Sequence, residues 1–254
     1  MRLIKPSYEI ITSIDGEEIL KQIELAARTC YKSEGKIEYD TQIVQYDGMD
    51  VTHLIKAKSA HILIPKLIAR GHEAMLEFGS NITVKFICDR GVSHELVRHR
   101  LASFAQESTR YCNYGKNDHV NCIIPNWLSG IKEGEYMMLE DNGIFDSSNG
   151  IIPFNQLSTE ELIYLASIYE TEVRYKELIR LGWSPQQARS VLPNSLKTEI
   201  NVSCNVREWR QIFKQRTSPF AHPQMRELMI PLLREFQEKI PLLFDDIKIK
   251  ENDK

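Results

Sequence analysis

The sequence predicts an α+β fold with few strands and many helices. Two segments alternate apolar and polar residues as half-buried strands do. They are 81–89, with Ile82, Val84, Phe86 and Cys88, and 197–204, with Thr198, Ile200, Val202 and Cys204. Several longer segments place apolar residues at helical spacing instead. No strand–helix–strand rhythm recurs, which argues against a parallel α/β sheet.

In chain order, residues 17–31 carry Ile19, Leu20, Ile23, Ala26 and Ala27 at helical spacing. Residues 59–70 are largely apolar and stop at Gly71. After the 81–89 strand, a turn at Arg90-Gly91 leads into a short helix, SHELVRHR, that delivers a charged cluster. The stretch 113–157 holds turn formers such as Gly115, Asn117, Asp118, Asn142, Ser148 and Asn149 and reads as loops, with 120–124 able to pair as a strand. Ser158 with Glu161 opens a helix that ends at Gly182. A shorter helix follows Ser184-Pro185 and ends before Pro193. Asn205 with Glu208 caps the next helix, which buries Val206, Trp209, Ile212 and Phe213 while Arg207, Arg210 and Gln211 face elsewhere. Met225, Leu228, Met229, Leu232 and Phe236 form a last apolar stripe, with a kink expected at Pro231.

At 254 residues the chain can bury a substantial core as one large domain or two small ones. No apolar run reaches the ~20 residues of a membrane span. The first residues lack a signal-peptide core, so a cytoplasmic setting is expected. Five cysteines with no C-x-x-C spacing fit neither a disulfide framework nor a zinc knuckle. A net charge of -3 without a basic stripe argues against nucleic acid as the ligand. No glycine-rich Rossmann or P-loop motif occurs.

The functional signal is Arg98-His99-Arg100 followed, after seven residues, by Ser108-x-Arg110. Guanidinium forks and a hydroxyl in one short segment suit a small phosphorylated ligand. His94 and His99 are five apart, whereas a zinc protease helix needs a spacing of four. Cys112 lies near Arg110, but no base can be placed beside it. Arg189 and Arg216 are further candidate anion ligands.

RHRLASFAQESTR resembles the R-H-R-x7-S-x-R signature of flavin-dependent thymidylate synthases. Gly71-His72-Glu73 upstream, Ala188 to Pro193, Asn205-x-Arg207 with Arg216, and His222-Pro223-Gln224 match in the same order. The resemblance covers roughly residues 20 to 240. It implies a central, mostly antiparallel sheet flanked by helices in a single domain, 1–254, assembling as a homotetramer with active sites between subunits. It further implies reductive methylation of dUMP to dTMP, with 5,10-methylenetetrahydrofolate as methylene donor, NADPH as reductant and FAD as cofactor, without a metal or a covalent nucleophile.

Carried over, FAD would be met by His72, Ala74, Arg98, His99, Arg100, Gln106, Asn205, Val206, Arg207, Gln211 and His222. The nucleotide dUMP would be met by Glu95, Leu96, Val97, Arg98, Gln106, Glu107, Ser108, Thr109, Arg110, Arg189 and Arg216. Arg216 is the expected catalytic residue, a guanidinium stabilising negative charge on the uracil edge. Ser108 reads as a binding hydroxyl. Some members carry Gln at Glu95, Glu at Gln106, His at Phe78 and Ser at Cys30. The competing expectation from the same arginines is a non-catalytic nucleotide- or RNA-binding protein.

Overall fold

The computed structural model describes residues 1–47, 49–116, 119–139, 143–147 and 150–250. Among them are eleven strands: β1 (Arg2–Ile4), β2 (Ser7–Ile10), β3 (Asp40–Tyr46), β4 (Met49–Lys56), β5 (Ile82–Asp89), β6 (Ser103–Gln106), β7 (Asn121–Ile123), β8 (Gly134–Met138), β9 (Gly143–Asp146), β10 (Gly150–Pro153) and β11 (Lys197–Cys204). The α-helices are α1 (Gly16–Cys30), α2 (Lys58–Ala69), α3 (Arg90–Leu96), α4 (Thr159–Arg180), α5 (Pro185–Ala188), α6 (Val206–Arg216), α7 (Pro223–Lys239) and α8 (Pro241–Phe244). The α+β class holds, but strands are more numerous than the sequence suggested. They form three sheets among the described residues: β10-β9-β8-β1-β7, β2-β5-β11-β6 and the β3-β4 hairpin. Pairing is antiparallel for β8 with β9, β9 with β10, β1 with β8 and β3 with β4, and parallel for β1 with β7.

The chain divides into two compact units. One comprises Met1–Glu9, Lys85–Arg98 and Phe104–Asn201, the other Ile10–Val84, His99–Ser103 and Val202–Lys254. The core of the first gathers Leu3, Tyr136, Ile144, Leu165, Ile168 and Tyr175. Tyr136 and Ile144 sit on β8 and β9, so much of the expected loop region is sheet. These strands are short and separated by turn residues, which hides their period from a sequence reading. Asn117, Asp118, Asn142, Ser148 and Asn149 lie outside the described residues.

In the second unit the α6 and α7 faces meet through aromatic rings. Phe236 lies 5.4 Å from Trp209, 5.1 Å from Phe213 and 5.1 Å from Phe244, centroid to centroid. The apolar stripe of α7 is core throughout, and the helix runs through Pro231. Gly79 marks a close approach: a Cβ there would lie 2.9 Å from Val206 Cγ2 and 3.2 Å from Ile19 Cγ2.

Most predicted boundaries agree with the structure. Ser158 and Glu161 form a complete capping box at α4, and Gly182 adopts a positive φ of 95° just beyond its end. Two further expectations fail. The helix before the arginine cluster begins at Arg90 because Asp89 caps the Val92 amide, and it ends at Leu96, leaving Arg98, His99 and Arg100 outside it. Arg210, expected to face elsewhere than the buried apolar side of its helix, is itself 1% exposed because Asp246 and the Leu243 carbonyl receive its guanidinium.

Candidate active site

The second unit holds most of the residues expected at the flavin. His72 precedes a 3₁₀ turn over Glu73–Phe78, and both His72 and Ala74 are exposed. Arg207, Gln211 and His222 are exposed as well. Arg207 forms an ion pair with Glu77 of the 3₁₀ turn. Asn205 is committed to structure, its side chain accepting from the Glu208 amide at 3.0 Å. Val206 is fully buried.

Arg216, the last residue of α6, donates from Nε to His99 Nε2 at 3.0 Å. On the other side of the ring, His99 Nδ1 lies 3.4 Å from Glu208 Oε1. His99 and Glu208 are 5% and 6% exposed. Burial first, and then the Arg216 guanidinium, push the His99 pKa down from 6.5 to about 4. The ring is therefore neutral near pH 7. Burial also raises the Glu208 carboxyl pKa above its ordinary value, opposed by Arg207. His99 thus receives Arg216 at Nε2 and has the Glu208 carboxylate beside Nδ1.

The first unit holds most of the residues expected at the uracil nucleotide. Val97, Arg98, Arg110 and Arg189 are exposed, and Glu95 is half-buried. Leu96 is a core side chain. Gln106 is fixed through its amide, which donates to Ser93 Oγ at 2.9 Å and Thr198 Oγ1 at 3.1 Å. The Ser108 hydroxyl accepts from the Arg110 amide at 3.3 Å, a local turn bond rather than a pairing with a base. The Arg110 guanidinium lies 5.4 Å from the Tyr111 ring centroid. Thr109 is buried and accepts from Arg189 Nη1 at 3.3 Å.

Glu107 faces inward, where Lys197 Nζ approaches at 3.0 Å and the Tyr114 hydroxyl donates at 2.8 Å. Glu199 continues the chain of charges to Lys197 and Lys85, each at 2.5 Å. A cleft of about 490 Å³ opens over this network, lined by Lys85, Gln106, Glu107, Cys112, Lys197 and Glu199 among others. Lys197 and Tyr114 were not among the sequence candidates. A lone lysine and a lone tyrosine, 90 and 7 residues from Glu107, carry no local signal of such a contact.

Residues 11–242 match the family model described as thymidylate synthase complementing protein. The chain belongs to this family. Among other members, the flavin-dependent thymidylate synthase of Corynebacterium aurimucosum is 31% identical over 228 residues, covering 89% of this chain and 79% of that protein. The enzyme of the same description from Mycobacterium marinum is 30% identical over 251 residues, covering 97% and 86%. The family fold is also seen in solved structures. Thymidylate synthase X of Helicobacter pylori, solved with FAD and dUMP, superposes with a TM-score of 0.64 at 21% identity over 97% of this chain and all of that one. A UMP/dUMP methylase of Streptomyces cacaoi bound with 5-Br dUMP gives 0.64 at 19% identity, covering 96% of each chain. At such identities these two likenesses concern the fold alone.

Proposed function

We propose that this chain is a flavin-dependent thymidylate synthase, methylating dUMP reductively to dTMP with 5,10-methylenetetrahydrofolate, NADPH and FAD. Family membership over 11–242 supports it, as do relatives of that description at 30–31% identity. The observation that carries the reading to chemistry is Arg216 held at Nε by a buried, neutral His99. A guanidinium fixed at that corner presents its Nη edge in one orientation, which is what charge stabilisation on a uracil ring requires.

The donors present suit FAD. Arg98 and Arg100 are exposed guanidiniums able to grip a diphosphate, and Arg207 and Gln211 are exposed on α6. His72, Ala74, Arg98, His99, Arg100, Gln106, Asn205, Val206, Arg207, Gln211 and His222 would hold the cofactor. When bound, FAD supplies the redox chemistry that no side chain here can. Glu95, Leu96, Val97, Arg98, Gln106, Glu107, Ser108, Thr109, Arg110, Arg189 and Arg216 would hold dUMP. The Glu107 carboxylate also fixes the segment through Lys197 and Tyr114. Ser108 acts as a donor to dUMP and not as a nucleophile. The chain 1–254 acts as one functional domain, and a cytoplasmic homotetramer with sites between subunits fits a cofactor large relative to one chain. No helix among the described residues is long and apolar enough to cross a membrane.

The test is anaerobic. The FAD-loaded protein is reduced with NADPH, dUMP and methylenetetrahydrofolate are added, and dTMP is assayed together with flavin reoxidation. Formation of dTMP coupled to reoxidation is the expected result. A protein that binds no FAD and forms no dTMP refutes the reading.

A further inference from the structure

We propose that Glu208 is a positioning residue for Arg216, acting through the tautomer of His99; the functional sense of this rests on the reading of Arg216 given above. An arginine Nε always carries hydrogen, so at 3.0 Å Arg216 must donate and His99 Nε2 must accept. A neutral imidazole has one hydrogen, and with Nε2 accepting, that hydrogen sits on Nδ1. Nδ1 faces Glu208 Oε1 at 3.4 Å. The Glu208 carboxylate sets negative charge beside that hydrogen, at ion-pair range and not as an aligned hydrogen bond, and so favours the one neutral form able to receive Arg216. The opposite tautomer, or the imidazolium, would set an N–H against the Arg216 N–H.

The chain layout gives the device its rigidity. Glu208 and Arg216 stand on the first and last turns of the same helix, α6. Eight residues of helix separate them by about 12 Å along the axis, so they cannot touch directly. His99 bridges them from a separate segment. His99 and Glu208 are both buried, so the His99–Glu208 contact is little screened by water. The Asn205–Glu208 pattern reads as a helix cap, yet only half of a capping box is present: the Glu208 amide donates to Asn205, and the Glu208 carboxylate meets His99. That diversion is what marks Glu208 as more than a cap.

The experiment compares wild type, E208L and E208Q as FAD-loaded full-length proteins, measuring bound FAD, kcat and KM for dUMP, and the His99 tautomer. The tautomer is read by ¹⁵N NMR of histidine-labelled protein, with H99Q assigning the signal. Expected are an Nδ1–H tautomer in wild type and a loss in E208L on the order of 10- to 100-fold in kcat/KM, at unchanged FAD content. The amide oxygen of E208Q keeps the negative end of a dipole beside Nδ1, so E208Q should recover much of that loss. An Nε2–H tautomer in wild type, or E208L with wild-type kcat/KM, overturns the proposal. If E208L does not fold, the wild-type tautomer and the kcat/KM of E208Q decide it. A wild type with the Nδ1–H tautomer but no dTMP formation refutes the functional reading while leaving the Glu208–His99–Arg216 geometry standing.

Discussion

The Lys197 ammonium lies 3.0 Å from the Glu107 carboxylate, tying β11 to the end of the strand from which Ser108 and Arg110 emerge. Burial disfavours the charged lysine, but hydrogen bonds to Glu199 and Glu107 outweigh it and raise its pKa. Replacing Lys197 by Met leaves Glu107 part-buried with only Tyr114 as a side-chain partner. We expect a loss of about 2 kcal/mol in urea unfolding. We also expect a rise of about tenfold in KM for dUMP, equivalent to ~1.4 kcal/mol, at unchanged FAD content. A stability loss with no change in KM would confine the pair to folding.

Acid should weaken the protein through His99. Its pKa is 6.5 when unfolded and about 4 when folded, so the unfolded chain takes up the proton first. Stability is therefore retained above about pH 6.5, falls as pH drops toward 4, and levels off below, the full span being on the order of 3 kcal/mol. Glu208 acts in the opposite sense: its raised pKa carries a cost at neutral pH that is relieved on protonation. Urea midpoints measured between pH 7 and 4 should show a net fall that H99Q flattens. An unchanged slope in H99Q would remove His99 as the cause.

Arg210 should behave as a buried charge and not as a surface one. Its Nη1 and Nη2 atoms each lie 2.7 Å from the Asp246 carboxylate, and Nη2 is 3.5 Å from Glu73. R210A removes the cation from partners that remain, at a cost of about 3–5 kcal/mol. D246A, at a site with a partly exposed acid, should cost less. Equal costs would show that the Leu243 carbonyl bond contributes little.

Phe236 touches three other rings, and its removal opens a cavity at the meeting of α6, α7 and α8. F236A should cost about 3–5 kcal/mol in denaturant unfolding. F236L should restore more than half of this. A loss below about 1 kcal/mol in F236A would mean the rings repack.

The parts legible in sequence are those set by local chemistry. Alternation at Ile82, Val84, Phe86 and Cys88 and the Ser158–Glu161 cap need only neighbouring residues, and both are found as expected. The signature residues around Arg98 to Arg110 were legible through their spacing. Arg210 was not, because Asp246, 36 residues away, makes its burial possible. Nor was the pairing of His99 with Arg216, 117 residues apart. Periodicity measures which face of a helix is apolar; it carries nothing about a charge whose partner arrives from elsewhere in the chain.

Gly79 gives the second unit a tolerance that can be counted in a single methyl group. Alanine there would press on Val206 and Ile19, side chains of α6 and α1, while its own backbone follows the turn bearing His72, Ala74 and Glu77. The displacement would pass along α6 toward Arg216 and along the turn toward His72. A substitution outside every expected ligand contact would then register as altered cofactor retention. Selection for catalysis would in this way reach a residue whose only chemical property is what it lacks.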